Sequence, residues 1–189
     1  LEANPLMEAF GNAKTVRNDN SSRFGAWIQI HVSSTGAISG ASLTNYLLEK
    51  TRAVKHSQGE RTFHVMYQVV AAHRRGALDG LINNTQEYRM LAPGSVQPER
   101  DAVGWDVTAK ALAAFQLDPK RIARVVAGVM ELGQVEFDAT VSTTARDECA
   151  TLSDAQRAQL SKACALLGLD VGATERALLE RDMSNAKET

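Results

Sequence analysis

The apolar residues of this chain change their period once, and that change limits the folds open to it. After Gly25, Ile28, Ile30 and Val32 alternate with Trp27, Gln29 and His31. Period two with β-branched residues predicts a strand. Ser33-Ser34-Thr35-Gly36 supplies turn residues. Residues 37–47 then predict a second, weaker strand, diluted by Gly40 and its small neighbours. A lone hairpin is marginal in water, so this one is expected to belong to a larger sheet. After Glu60 the period becomes helical. Phe63, Met66, Tyr67 and Val70 stand at i, i+3, i+4 and i+7, one face of a helix. Residues 76–106, broken by Gly, Asn and Pro, predict short helices and loops, and residues 107–115 a short amphipathic helix. Asp118-Pro119 is a start signal for a helix carrying Ile122, Val125, Val126, Val129 and Met130, with Gly133 placed to end it. Ser153 and Gln156 have capping-box spacing. Leu160, Cys164 and Leu167 form the stripe of that helix, and Gly168 ends it. A last helix is expected over about residues 172–181. The predicted fold class is α+β, mostly helical.

Composition narrows the functional classes. Of 189 residues 44% are apolar and 23% charged, with a net charge of -1, so a disordered chain is excluded. Near-neutral charge gives no case for nucleic acid or an anionic membrane as partner. No apolar run approaches the ~18–20 residues that cross a bilayer, so no transmembrane segment is expected. Cys149 and Cys164 are too few for a disulfide scaffold and read as reduced thiols of a cytoplasmic protein. His31, His56, His64 and His73 have no metal-binding spacing. Lys50, Arg52, Lys55 and His56 read as a basic cluster on a solvated turn.

One segment offers chemistry. Residues 17–23, Arg-Asn-Asp-Asn-Ser-Ser-Arg, contain no apolar side chain and read as a loop. Ser hydroxyls are hard oxygen ligands suited to Mg²⁺, which binds few protein groups together with phosphate oxygens and water. Asn donates to phosphate oxygens, and the Arg fork takes a carboxylate bidentately. Such a loop leading into a buried strand puts these groups at a sheet edge, where nucleotides commonly sit. A solvated turn rich in Ser and Asn accounts for the same composition.

The order of the residues adds more. Asn18-x-x-Ser21-Ser22-Arg23 resembles the switch I signature of myosin and kinesin motors, and the following Phe24-Gly25 is the myosin form. Residues 1–25 resemble the segment leading into switch I of myosin motor domains almost residue for residue. Residues 35–68 resemble the strand, loop and helix that follow. EYRML (87–91), GVMELGQVEF (128–137) and CALLGLD with ALLER (164–181) match weaker landmarks in the right order.

The resemblance implies a myosin motor fragment, from switch I through the upper 50-kDa region: a hairpin of a larger mixed sheet of P-loop NTPase type, then a helical subdomain. It divides the chain into a helix and switch loop (1–24), a hairpin (25–48) and a helical region (49–189). The implied ligands are ATP and Mg²⁺. Asn18 would contact the phosphates, Ser21 the attacking water and γ-phosphate, and Ser22 the Mg²⁺. Arg23 would pair with a switch II glutamate. Positioning and charge stabilisation of this kind are what phosphoryl transfer asks of a protein. The implied partner is the actin filament, with light chains or calmodulin held by other parts of such a motor, in the cytoplasmic cytoskeleton. The actin-facing loop would fall at 138–151, with Arg146, Asp147 and Glu148.

No G-x-x-x-x-G-K-[ST] phosphate loop and no D-x-x-G-F-E switch II occur in these residues. The chain is therefore expected to be one slice of a longer motor, inactive as an ATPase alone. Ala26 stands where the family usually has Lys, Glu131 and Gln134 where it has His and Asn, and Val171-Gly172 where Pro-Glu is commoner. Two alternatives stay open beside a working motor: a relic that senses nucleotide or binds actin without turnover, and a helical interaction module.

Overall fold

The structure is a computed structural model that describes residues 3–82, 87–141 and 148–180. It is a mixed α/β arrangement in which helices dominate and strands pair only two by two among the described residues. Helix α1 spans Asn4–Gly11, with a proline in its first turn. The short strands β1 (Asn12–Ala13) and β2 (Ser21–Ser22) pair antiparallel. Strands β3 (Gly25–Val32) and β4 (Ile38–Tyr46) form the expected hairpin, from Gly25 opposite Tyr46 to Val32 opposite Ile38. Its turn is closed by the Ser33 N–H on the Ala37 carbonyl (2.8 Å) and the Gly36 N–H on the Ser33 carbonyl (3.0 Å). Both faces of the hairpin are exposed along its whole length.

The helices follow: α2 (His64–Arg74), α3 (Pro98–Ala114), α4 (Pro119–Leu132), α5 (Asp154–Leu167) and α6 (Val171–Leu179). Helix α2 is the centre, with every residue from 65 to 73 buried. Its expected face, Phe63, Met66, Tyr67 and Val70, is in the core with Tyr88, Trp105, Ala123, Val126 and Met130. A smaller cluster joins Val135, Leu152, Leu160 and Cys164 under α5.

The caps explain where helices begin and end. The Asp118 carboxylate accepts from the Lys120 N–H (2.9 Å), and the Asp170 carboxylate from the Ala173 N–H (2.7 Å). Each satisfies a donor left free in a first turn. Gly168 is left-handed (φ 71°) and ends α5 as expected. Ser153 caps α5, but the pair is not a reciprocal box. The Gln156 side chain accepts instead from the Glu136 N–H (2.9 Å), tying α5 to the segment after α4. Arg124 on α4 donates to the Ala165 and Leu166 carbonyls (2.7 and 3.2 Å) at the C-terminal end of α5, where the helix dipole favours a cation.

Three expectations are corrected. Residues 98–114 form one helix rather than loops and a short helix. Gly104 sits inside it despite the low helix propensity of glycine, packed so closely on α2 that a Cβ there would lie 2.9 Å from the end of the Gln68 side chain, which would have to shift. The polar run 17–23 is not all loop, since Ser21–Ser22 pairs with Asn12–Ala13. Strand pairing also recurs after α4, where β5 (Asp138–Val141) pairs with β6 (Glu148–Thr151). Those strands begin and end the segment read as a surface loop. Arg146 and Asp147 lie outside the described residues, as does Arg181 at the end of the last landmark.

Glu131 joins α4 to its neighbours. Fully buried, it accepts from the Tyr88 hydroxyl (2.7 Å), the Lys162 ammonium (2.6 Å) and the Gln159 amide (2.8 Å). Burial pushes its carboxyl up, but the hydrogen bonds from Lys162, Gln159 and Tyr88 outweigh burial and hold it below the usual glutamate value. A carboxyl lowered in the fold contributes stability that is complete above its ordinary value near 4.5 and is lost as pH falls through the lower folded value. Glu131→Gln is expected to cost about 1–3 kcal/mol at neutral pH. That deficit should shrink as pH drops below 4.5, as read by urea unfolding of both proteins across the acid range.

Candidate functional site

The polar loop hangs between the end of α1 and the start of the hairpin. The β1–β2 pairing puts Asn12 opposite Ser22 and Ala13 opposite Ser21, which closes residues 14–20 into a loop. Within it the Thr15 N–H donates to the Asn18 carbonyl (2.8 Å) and the Asn18 N–H to the Thr15 hydroxyl (3.1 Å). Lys14 pairs with Asp19, and Arg100 reaches the same carboxylate from α3 (3.2 Å). Hydrogen bonds from Lys14 and then Arg100 hold the Asp19 carboxyl below its usual value. Asn20 clamps the loop to two helices. Its Oδ1 accepts from Asn12 Nδ2 and lies on His64 Nε2, both at 3.0 Å, while its Nδ2 donates to Glu8 (3.1 Å). Beyond the loop, the Arg23 N–H donates to the Gly11 carbonyl (2.8 Å). The Phe24 ring fills the space beside Gly11, where a Cβ would lie 2.3 Å from a ring carbon.

These bonds decide what each of the four sequence-selected side chains presents outward. Asn18 Oδ1 accepts from the Asn20 N–H (2.8 Å), which leaves the Asn18 NH₂ as its outward donor. Ser21 Oγ accepts from Arg23 Nη1 (3.2 Å), so its own O–H remains to donate. Ser22 Oγ donates to the Phe24 carbonyl (2.9 Å), so its lone pairs remain to face a cation. Asn18 and Ser22 are exposed; Ser21 and Arg23 are half-buried. The loop therefore offers two donors and a guanidinium for an anion beside one hard oxygen for a cation. This set fits a phosphate with Mg²⁺, which takes few protein ligands and keeps phosphate and water oxygens. Among the described residues no cluster of three or more His, Cys, Asp or Glu gathers as a metal centre.

Arg23 is held from behind. Its Nε donates to Glu49 Oε2 at 2.5 Å, and the same oxygen accepts from Arg52 Nε at 2.8 Å. Arg52 also donates to Glu60 (3.0 Å) and to the Arg61 carbonyl (3.3 Å). Burial raises the Glu49 carboxyl, but hydrogen bonds from Arg52 and then Arg23 lower it further, so it stays ionised. Arg52 is 5% exposed, which corrects its reading as part of a solvated basic turn. Sequence reasoning also missed Glu49. Its signal was the hairpin register: Gly25 opposite Tyr46 brings residues 23 and 49 to the same end of the ribbon.

The family model described as myosin head (motor domain) matches residues 1–189. Myosin-14 of Mus musculus is 40% identical over 184 residues, covering 95% of this chain and 9% of the relative. The non-muscle myosin heavy chain of Drosophila melanogaster is 40% identical over 185 residues, with the same coverage. Unconventional myosin-Ib of Homo sapiens is 36% identical over 199 residues, covering 100% of this chain and 17% of the relative. The chain belongs to the myosin head (motor domain) family, and it spans less than a fifth of the length of these curated relatives.

Asn20→Ala removes the clamp without touching the four outward-facing groups. The loss of local opening free energy should be about 1–2 kcal/mol, so amide hydrogen exchange at residues 18–22 is expected to speed up about tenfold. Exchange unchanged by the substitution would remove Asn20 from the anchoring of the loop.

Proposed function

We propose that this chain supplies the nucleotide-responding switch of an actin-based motor that hydrolyses ATP with Mg²⁺ and couples the reaction to force. The observation that supports it is the division of labour in the loop. The internal hydrogen bonds of residues 18–23 leave donors on Asn18, Ser21 and Arg23 and a free hydroxyl oxygen on Ser22. Mg²⁺·ATP, when bound, supplies the transferable phosphoryl group and a divalent charge that offsets the developing negative charge. The chain's own residues bind and orient. The Asn18 amide donates to phosphate oxygens. The Ser21 hydroxyl orients the attacking water. Ser22 Oγ takes one position on the cation, and Arg23 closes onto a carboxylate of a switch II segment. The actin filament, with light chains or calmodulin on other parts of the motor, is the partner set of this reading, and the cytoskeleton its location.

Ala26 favours a second reading, a motor relic that holds nucleotide without turnover, because the family's usual cation after the switch is gone. Against it, none of the bonds that shape the loop involves residue 26, whose place on β3 is opposite Asn45.

Single-turnover ATP hydrolysis by the complete motor separates the two. A working motor is expected to hydrolyse bound ATP, and Ser22→Ala to slow that step by about a hundredfold or more, as for loss of one precisely placed electrostatic partner. Binding without hydrolysis favours the relic. The 189-residue chain by itself is expected to show no ATPase, because its sequence holds no phosphate loop. Turnover that survives purification and disappears on Ser22→Ala would overturn that expectation.

A further inference from the structure

We propose that Glu49 is a positioning residue for Arg23, holding the guanidinium by its Nε so that the outer edge of the fork stays turned toward an incoming carboxylate. The inference rests on the switch reading given above.

Glu49 and Arg23 meet twice. The Glu49 N–H donates to the Arg23 carbonyl (3.0 Å), and Arg23 Nε donates to Glu49 Oε2 (2.5 Å). The backbone bond sets the separation of the two residues. The side-chain bond then fixes the direction of a guanidinium that a long flexible stem would otherwise leave free. Glu49 is itself backed by Arg52, whose nearly buried side chain is fastened to Glu60 and to the Arg61 carbonyl. The support therefore runs from Arg23 through Glu49 and Arg52 to Glu60 and Arg61, just before α2.

The choice of atoms on Arg23 decides between support and competition. Glu49 takes only Nε, and Ser21 takes one N–H of Nη1. The remaining N–H groups of Nη1 and Nη2 form the end of the fork, the edge that binds a carboxylate bidentately. The Glu49 oxygen is also shared with Arg52, so its charge is not spent on Arg23 alone and the fork keeps its attraction for a second anion. A competing latch would occupy the end of the fork. Glu49 occupies its side.

The test uses the complete motor, with rapid-mixing measurement of ATP binding and of the phosphate burst for Glu49→Ala, Glu49→Gln and Arg23→Ala. Glu49→Ala is expected to slow the hydrolysis step about tenfold or more, the cost of a misplaced group, while ATP binding stays close to the parent rate. Glu49→Gln keeps an oxygen for Arg23 Nε and should recover part of the loss. A normal burst in Glu49→Ala overturns the proposal, and so does a faster one, which would mark Glu49 as a competitor. Parallel loss of ATP binding and hydrolysis in both Glu49 variants also overturns it, since that is the mark of a loosened fold. A normal hydrolysis step in Arg23→Ala sinks the switch reading itself. Hydrolysis lost in Arg23→Ala but normal in Glu49→Ala sinks only the role of Glu49.

Discussion

Burial of helix α2 from residue 65 to residue 73 is the constraint from which the remaining structure follows. A helix enclosed on all faces cannot send its polar residues to water, so each needs a partner inside. Gln68 accepts from the Thr108 hydroxyl of α3 (2.9 Å), and His73 Nδ1 lies 2.6 Å from the Leu78 carbonyl. Tyr67 accepts from the Thr62 N–H (3.2 Å) and donates to the Leu91 carbonyl (2.9 Å). These bonds fix which residues of α3 and of the 88–91 segment face α2, and with them the register of the helical core. The Tyr67 bonds also tie the N-terminal end of α2 to Thr62 and Leu91, and the polar loop is fastened to that end. Ala13 forms an isolated bridge with Phe63, the Arg61 N–H donates to the Lys14 carbonyl (3.0 Å), and His64 reaches Asn20.

The charges around that end act as orienters more than as sources of stability. Arg61 pairs with Asp101 at 2.6 Å with both side chains almost buried. It also lies over the Tyr67 ring at 3.7 Å, and Asp101 accepts from the Gln97 N–H at the start of α3 (2.6 Å). The cost of desolvating two such charges offsets much of their attraction, but removing one leaves the other stranded. The same reasoning covers Glu49 and Glu60 around Arg52. Groups arranged in this way tolerate few alternative geometries. On the switch reading proposed above, in which the loop presents four side chains in fixed directions, that restriction matters more than any net gain in free energy.

Local chemistry was legible in the sequence wherever one residue decides a local outcome. Asp118 before Pro119, Gly168 after Leu167 and the alternation of Ile28, Ile30 and Val32 each specify an element without help from elsewhere, and the structure forms all three. Membership of the myosin head (motor domain) family was legible because the order of residues 18–25 is specific. What could not be read was set by partners distant in sequence. Gly104 looked like a breaker because the Gln68 side chain that packs closely on it lies on another helix. Arg52 looked solvated because Glu60 and the Arg61 carbonyl come to it only after the chain turns back. Gln156 has the spacing of a reciprocal cap, yet the Glu136 N–H competes for it and wins.

Three residues that stand where the resemblance implies others, Glu131, Gln134 and Ala26, fall in two different physical settings. Glu131 is enclosed by groups that complement it, and the half-buried Gln134 is bonded at both ends of its amide. Glu131 has its three donors. Gln134 accepts from the Arg89 N–H (2.8 Å) and donates to the Glu87 carbonyl (3.0 Å), and Arg89 returns to the Gly133 and Val135 carbonyls (2.8 and 3.0 Å). A change at such a place must be matched at once by its neighbours, because an unmet buried charge costs far more than a poor contact. Ala26 is the opposite case. It lies exposed on a hairpin whose two faces are both open, and no bond of the loop depends on it. Glu131 and Gln134 thus sit where α4 meets α5 and the 87–91 segment, and Ala26 where nothing packs. Residues 18–23 are a third setting, in which Asp19, Asn20 and Arg23 are tied to Lys14 and Arg100, to Asn12, Glu8 and His64, and to Glu49.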